Sequence, residues 1–292
     1  MPENVLAVLT APVAGAEAAE PFRFADPASP VLHVTDLAAT RGDGVFETMG
    51  VIRGRAQAVD AHLARLARSA GMLELPEPDL AAWRAATIAV AERLADLPEA
   101  FVKLVYSRGV EGTGRPTGWV LGAATPDHSA ARAHGIAVTV LDRGLPHDSA
   151  GELPWLLQGA KTLSYAVNMA AIREAKRRGV DDALFVSSDG FLLEGPTSSL
   201  LIRHGDRIST PSTSLGILAG TTQADAFRFA RLQGLTTAYE VLGPETLADA
   251  DGLWFLSSVR LAVPIREIDG EARRVDAAFT AALNDFLLAR RD

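Results

Sequence analysis

The chain of 292 residues is 48% hydrophobic and carries a formal net charge of −8 at neutral pH, enough material for one large or two medium domains with a sizeable core. The acidic balance, with no basic tail or stripe, excludes a general nucleic-acid binder, and the absence of cysteine excludes disulfides, thiolate metal sites and a cysteine nucleophile. The six histidines are scattered, so no zinc or iron site is expected; no apolar run reaches membrane-span length, segment 1–19 lacks the positive start of a secretory signal, and a cytoplasmic location is expected.

In chain order, residues 5–9 and 31–34 read as short strands separated by an Ala/Pro/Glu-rich connector. Residues 44–52 read as a strand turning at Arg53-Gly54, and Asp60 as the N-cap of a helix that runs to about Ala70 and stops at Gly71. A second helix is expected over about 79–94, and strands over 100–107 and 118–123 flank a Gly-rich loop at 108–117. Residues 1–123 then make a small N-terminal α+β domain, 124–134 a linker, and 135–292 a larger C-terminal domain. There a strand over 136–141 precedes a helix over about 162–178 that ends at Gly179. Strands are expected at 183–187, 191–194 and 199–203, joined by turns such as Asp189-Gly190. A helix over 221–232 followed by Gly234, a strand over 252–257 and a last helix over about 276–290 complete the chain.

The chain holds only three lysines, Lys103, Lys161 and Lys176, and arginine supplies nearly all the other positive charge. Lysine forms an imine with a carbonyl; arginine does not. Lys161 lies in Gln158-Gly159-Ala160-Lys161-Thr162-Leu163-Ser164-Tyr165, small and apolar surroundings that desolvate an ammonium and favour the nucleophilic amine. Taken alone, the window also suits a lysine whose stem packs and whose head reaches water. Gly216-Ile217-Leu218-Ala219-Gly220-Thr221-Thr222 opens an expected helix, where backbone N–H groups, hydroxyls and the positive helix end bind a phosphate; an ordinary Gly/Thr N-cap has the same residues. Glu194 closes an apolar stretch, placed either to pair with a buried cationic nitrogen or to meet solvent. Arg65 stands beside the apolar stripe of its helix, within reach of a phosphate as a two-pronged donor, and Ser257-Ser258 adds hydroxyls at a strand end.

In their order and spacing, Arg41-Gly42-Asp43-Gly44-Val45-Phe46-Glu47-Thr48, His62-Leu63-Ala64-Arg65-Leu66, Lys161, Glu194-Gly195 and Ala219-Gly220-Thr221-Thr222 resemble the class IV aminotransferases, the fold-type IV pyridoxal phosphate enzymes. The resemblance runs from about Val31 to near the C-terminus. It implies an α+β fold with a small N-terminal domain, a larger C-terminal domain holding a barrel-like sheet, and the cofactor in the cleft between them, usually in a homodimer. By the same resemblance Lys161 matches the Schiff-base lysine, Glu194 the partner of the pyridine nitrogen, and Arg65, Gly220, Thr221, Thr222 and Ser258 the phosphate-binding positions. Leu218 matches the residue packed on the ring face and Tyr165 falls near the aromatic beside the cofactor. Phe46, Arg108, Arg115 and Arg260 are the candidate substrate contacts, the arginines for carboxylates. The Ser107-Arg108-Gly109 loop with Gly112-Thr113-Gly114, Lys161-Thr-Leu-Ser-Tyr and Ser258-Val259-Arg260 look closest to the 4-amino-4-deoxychorismate lyases, which release 4-aminobenzoate and pyruvate; Phe46-Glu47-Thr48 is shared with the transaminases. A transaminase of D-amino acids or of branched-chain L-amino acids is the alternative, alone or as a second activity. A catalytically silent cofactor-binding protein is disfavoured, since the lysine and the glutamate are both present.

Overall fold

A computed structural model describes residues 4–16 and 19–290; the outermost ends of the expected domains, at 1–3 and 291–292, and residues 17–18 lie outside the described residues. The chain divides into two compact units, and the division is not a single cut. The first comprises residues 1–126, 160–165 and 290–292; the second comprises 127–159 and 166–289.

The first unit contains β1 (Val5–Leu9), β2 (Phe22–Ala25), α1 (Leu37–Thr40), β3 (Gly44–Ile52), β4 (Arg55–Ala56), α2 (Val59–Met72), α3 (Leu80–Glu92), β5 (Glu99–Ser107) and β6 (Thr117–Ala124). Its strands form an antiparallel sheet in the order β2-β1-β6-β5-β3-β4. The two-residue alternation of β3 puts Val45, Glu47, Met49 and Val51 on one face, all buried, and α2 packs on this strand. Trp83 of α3 is fully buried and meets the Tyr106 ring edge-on, with centroids 5.8 Å apart. Gly118 makes room for it, because a Cβ there would stand 2.6 Å from the indole.

Several local expectations change. Residues 31–34 form a bend and turn rather than a strand. Turn chemistry prevails: Asp36 N–H bonds the His33 carbonyl, and the Asp36 side chain caps α1, leaving Val34 exposed. The supposed connector before it contains β2, paired with β1. Helix α2 starts at Val59, after Ala58 in the left-handed region; Asp60 is therefore a first-turn acid and not the N-cap. The helix also passes through Gly71 and ends at Met72, with Leu73 as its C-cap, since one glycine costs a helix interior only about 1 kcal/mol.

The second unit contains α4 (Ser129–His134), β7 (Ile136–Asp142), α5 (Ser149–Glu152), α6 (Ala166–Arg177), β8 (Asp182–Val186), β9 (Ser199–His204), β10 (Arg207–Pro211), α7 (Thr221–Leu232), β11 (Thr236–Glu240), β12 (Gly252–Ser257), β13 (Leu261–Ile268), β14 (Glu271–Ala272) and α8 (Ala277–Leu288). Its sheet runs β11-β10-β9-β12-β13-β7-β8, with β14 paired to β13, and curls into a half barrel. Leu200, Ile202, Phe255, Val263 and Ile265 fill one side. Leu201, Trp254 and Ala262 meet Phe227 of α7 and Leu283 of α8 on the other.

Helix α4 occupies most of the stretch read as a linker. Residues 162–165 are not helical; α6 begins only at Ala166. Residues 191–194 are extended without forming a regular strand, because Leu192 N–H bonds the Leu242 carbonyl while Leu193 N–H bonds that of Phe185. Strands β10, β11 and β13 carry too little local signal to read. Pro264 inside β13 argues against a central strand, yet it pairs with Trp254, and a bulge follows between Ile265 and Glu267.

Candidate active site

Within the first unit, residues 161–163 run along the edge of β3. Phe46 N–H donates to the Lys161 carbonyl at 3.0 Å and Leu163 N–H to that of Gly44 at 2.8 Å, while Lys161 N–H bonds Ser69 Oγ of α2 at 3.1 Å. These non-local bonds satisfy backbone groups that a helix would otherwise have paired. They also fix the base of the Lys161 side chain. Its Nζ lies 4.5 Å from the Phe46 ring centre and 5.7 Å from that of Tyr165. The two rings meet edge to face at 5.2 Å, so the amine stands against an aromatic corner.

Lys103, a residue the sequence reading left unassigned, shares this corner: its Nζ is 5.0 Å from the Phe46 ring. The register Phe46↔Val105 and Thr48↔Lys103 places all four on one face of the sheet. Lys103 is half-buried, burial lowers its pKa, and among the described residues no carboxylate pairs with it. The alternation through Ala100-Phe101-Val102-Lys103-Leu104 was the available signal, since it sets Lys103 opposite the buried Val102 and Leu104.

Arg65 is buried, and its Nε and Nη2 each donate at 2.7 Å to one oxygen of Glu47, which is fully buried. His62 Nδ1 stands 2.7 Å from the same carboxylate; a carboxylate only accepts, so Nδ1 carries the proton. Burial pushes the Glu47 pKa up, but the Arg65 charge, its hydrogen bonds and His62 outweigh burial and hold the carboxyl down at about 2. Burial lowers the His62 pKa more than Glu47 raises it. Neither Glu47 nor His62 was assigned from sequence, although strand alternation and the i, i+3 spacing of His62 and Arg65 put all three on facing surfaces.

These two pKa values lie below their ordinary ones, so the stability each group contributes is complete above that value and is lost as pH falls. Thermal melts should therefore show stability falling from about pH 6.5 through His62, and further between 4.5 and about 2 through Glu47. Glu47→Ala, which leaves the Arg65 charge buried without this partner, is expected to cost about 3–5 kcal/mol at pH 7.5. Equal melting curves for this variant and the parent would contradict that role.

The second unit holds the other expected positions. Glu194 is half-buried, and one carboxylate oxygen accepts from Leu218 N–H at 3.2 Å. Four residues after Gly216, α7 begins with Gly220 as its N-cap, which contributes no side-chain cap. A Cβ at Gly220 would lie 2.4 Å from Ser199 Oγ, so glycine lets the helix start close on that hydroxyl. Thr221 and Thr222 follow, and the hydroxyl of each is 3.4 Å from Ser258 Oγ, longer than a strong hydroxyl–hydroxyl bond. Gln223 Nε2, in the first turn of the same helix, is buried without an acceptor among the described residues. Three hydroxyls, an orphaned amide donor and a helix start thus gather in a form suited to an anion.

Of the arginines expected to bind substrate, Arg108 donates to both oxygens of Asp43, at 2.6 and 3.2 Å, and to the Leu73 and Glu74 carbonyls. Arg260 is engaged by Asp182, Ser198 and Thr197. Arg115 is exposed on its loop. No group of three or more acidic or histidine side chains that could hold a metal occurs among the described residues, and no helix among them is long and apolar enough to cross a membrane.

The mixed helices and strands with a curled half-barrel sheet are those of the fold-type IV enzymes. The family model for amino-transferase class IV matches residues 44–268, and the chain belongs to this family of pyridoxal phosphate-dependent enzymes. The bifunctional aminodeoxychorismate lyase / D-amino acid transaminase of Mycobacterium tuberculosis is 46% identical over 254 residues, covering 84% of this chain and 88% of that protein. A fold IV transaminase from Curtobacterium pusillum superposes with a TM-score of 0.95 at 51% identity, covering 98% of this chain and 97% of that one. The pyridoxal phosphate-bound form of a Mycobacterium tuberculosis aminotransferase gives 0.89 at 41% identity, covering 98% and 99%.

Proposed function

We propose that this enzyme is a 4-amino-4-deoxychorismate lyase, releasing 4-aminobenzoate and pyruvate, with D-amino-acid transamination as a second activity of the same site. The observation that carries this reading is the placing of Lys161 at the Phe46–Tyr165 corner, with a second cation, Lys103, over the same ring. The bifunctional Mycobacterium tuberculosis relative supports both activities, and Phe46-Glu47-Thr48, a pattern shared with transaminases, favours the second. A homodimer is part of the reading.

The residues present suit pyridoxal phosphate. Lys161 would hold its carbonyl, Glu194 its ring nitrogen, Leu218 its ring face, and Thr221, Thr222, Ser258 and Arg65 its phosphate. When bound, the cofactor draws electrons from the substrate carbon that bears the amine. Glu194 keeps a positive charge on the ring nitrogen, which sustains that pull. Lys161, the one lysine assigned to the site, would serve as the proton carrier once substrate is bound. For the lyase, its Nζ would take the proton from the amine-bearing carbon as the C–O bond on the neighbouring carbon breaks, the ring becoming aromatic; the departing enolpyruvate takes up a proton and becomes pyruvate. For transamination, the same Nζ would carry the α-proton across to the cofactor's carbonyl-derived carbon, so that water can then release the 2-oxo acid.

Both substrates carry carboxylates, and Lys103 is the cation on the Phe46 face without a carboxylate partner among the described residues. Lys103→Gln is expected to raise KM for aminodeoxychorismate and D-alanine about 10–100-fold, the value of one charge-assisted contact. Its half-reaction with an amine lacking a carboxylate should change less than threefold. Equal losses with both amines would remove this role. The reaction itself is tested by incubating the cofactor-loaded protein with aminodeoxychorismate, D-alanine, L-leucine and L-glutamate in separate assays. Release of 4-aminobenzoate and pyruvate supports the lyase, conversion of cofactor to its amine form by D-alanine supports the second activity, and failure of aminodeoxychorismate to react defeats the first.

A further inference from the structure

Arg260 was read from sequence as a carboxylate ligand for substrate, and its surroundings point elsewhere. Nη2 lies 2.7 Å from Asp182 Oδ2, 2.5 Å from Ser198 Oγ and 3.4 Å from Thr197 Oγ1. Asp182 is buried, and the Arg260 side chain is itself only 23% exposed. Ser198 closes a short turn that directly follows Glu194: Gly195 N–H bonds the Ser198 carbonyl at 2.8 Å. A Cβ at Gly195 would strike the Phe255 ring at 2.9 Å, so this turn lies directly on the sheet. One guanidinium therefore grips the far end of the turn that follows Glu194.

The same residue belongs to a second turn, 257–260, which carries Ser258. Arg260 N–H bonds Ser257 Oγ at 3.3 Å, and Arg132 of α4 donates to the carbonyls of Arg260 and Val259 at 3.0 and 3.1 Å. The next residue, Leu261, is buried with φ at 62°, a left-handed backbone that a branched side chain adopts only where the surroundings enforce it. The turn is thus held from three directions, and Ser258 is presented to Thr221 and Thr222.

We propose that Arg260 is a positioning residue: through Asp182 and Ser198 it locks the Glu194 turn to the Ser258 turn, and so sets the spacing between the group facing the cofactor's ring nitrogen and the hydroxyl facing its phosphate. This rests on the reading of Glu194 and Ser258 given under the proposed function. A lysine at 260 keeps the charge but loses the fork that reaches Asp182 and Ser198 together. The double change Arg260→Met with Asp182→Asn removes both charges and leaves no buried carboxylate unpaired.

The test measures pyridoxal phosphate affinity of the apoprotein by equilibrium dialysis, the visible absorption band of the loaded protein across pH, and KM for D-alanine at saturating cofactor. Arg260→Lys and the double variant are both expected to weaken cofactor binding about 10-fold or more, as the loss of a supporting contact around a bound group does. The band should shift with them, while KM stays within about twofold of the parent. A raised KM with cofactor affinity and band unchanged would make Arg260 a substrate ligand and overturn the inference, as would two folded variants that behave like the parent. Parent protein that takes up no pyridoxal phosphate would instead overturn the reading of the site on which it depends.

Discussion

Lys161→Ala is expected to lower turnover of aminodeoxychorismate and of D-alanine by about 10⁴-fold or more, equivalent to about 5.5 kcal/mol of barrier. The size follows from two functions resting on one nitrogen, attachment of the cofactor and movement of the substrate proton. The other two lysines are anchored on different backbone elements, Lys103 on β5 and Lys176 on α6. Cofactor binding should survive in part, because the start of α7, Glu194 and Arg65 are untouched. Single-turnover assays with saturating cofactor, alongside dialysis, separate the two effects. A variant retaining more than about 1% of the parent rate would contradict the proton-carrier role.

Glu194→Gln is expected to lower turnover of both substrates about 10²–10³-fold with little change in KM, since the lost interaction matters most as charge builds on the cofactor ring. The amide keeps the shape and can still accept from Leu218 N–H, the bond that Glu194 makes at 3.2 Å, but it cannot balance a positive ring nitrogen. Steady-state kinetics with the nitrogen's protonation followed by NMR on ¹⁵N-labelled cofactor checks this. Turnover within threefold of the parent, with the nitrogen still protonated, would place the electron sink under a different residue.

How far the site could be read beforehand differed from residue to residue. The bounds of α7 and β12 were legible because Gly220 marks the helix start and an apolar run marks the strand. The expected helices over about 79–94 and 276–290 were placed within a few residues, and in the structure Asp79 and Asp276 cap them. Lys161 stood out by chemistry, yet its backbone did not: the helical period of 166–177 extends backwards in sequence, whereas the pairing of 161–163 with β3 involves residues more than a hundred positions away. Propensity yielded there to a tertiary contact. Glu47 was quoted within a motif and left without a role because nothing local shows which cation a buried carboxylate meets. Arg260 shows the same limit from the other side. An arginine near a strand end suits an incoming carboxylate as well as an internal one, and Asp182, its partner, lies 78 residues away. What composition and spacing convey is which chemistry is present; which groups are already spent on each other follows only from the fold.

The most direct test uses the small number of lysines. Protein loaded with pyridoxal phosphate is reduced with borohydride, digested, and searched by mass spectrometry for the pyridoxyl group on the peptides containing Lys103, Lys161 and Lys176, the only lysines in the chain. The group is expected on Lys161 alone, at close to one per chain. Its appearance on Lys103 or Lys176 with Lys161 unmodified, or on no lysine, would contradict the assignment of the active site.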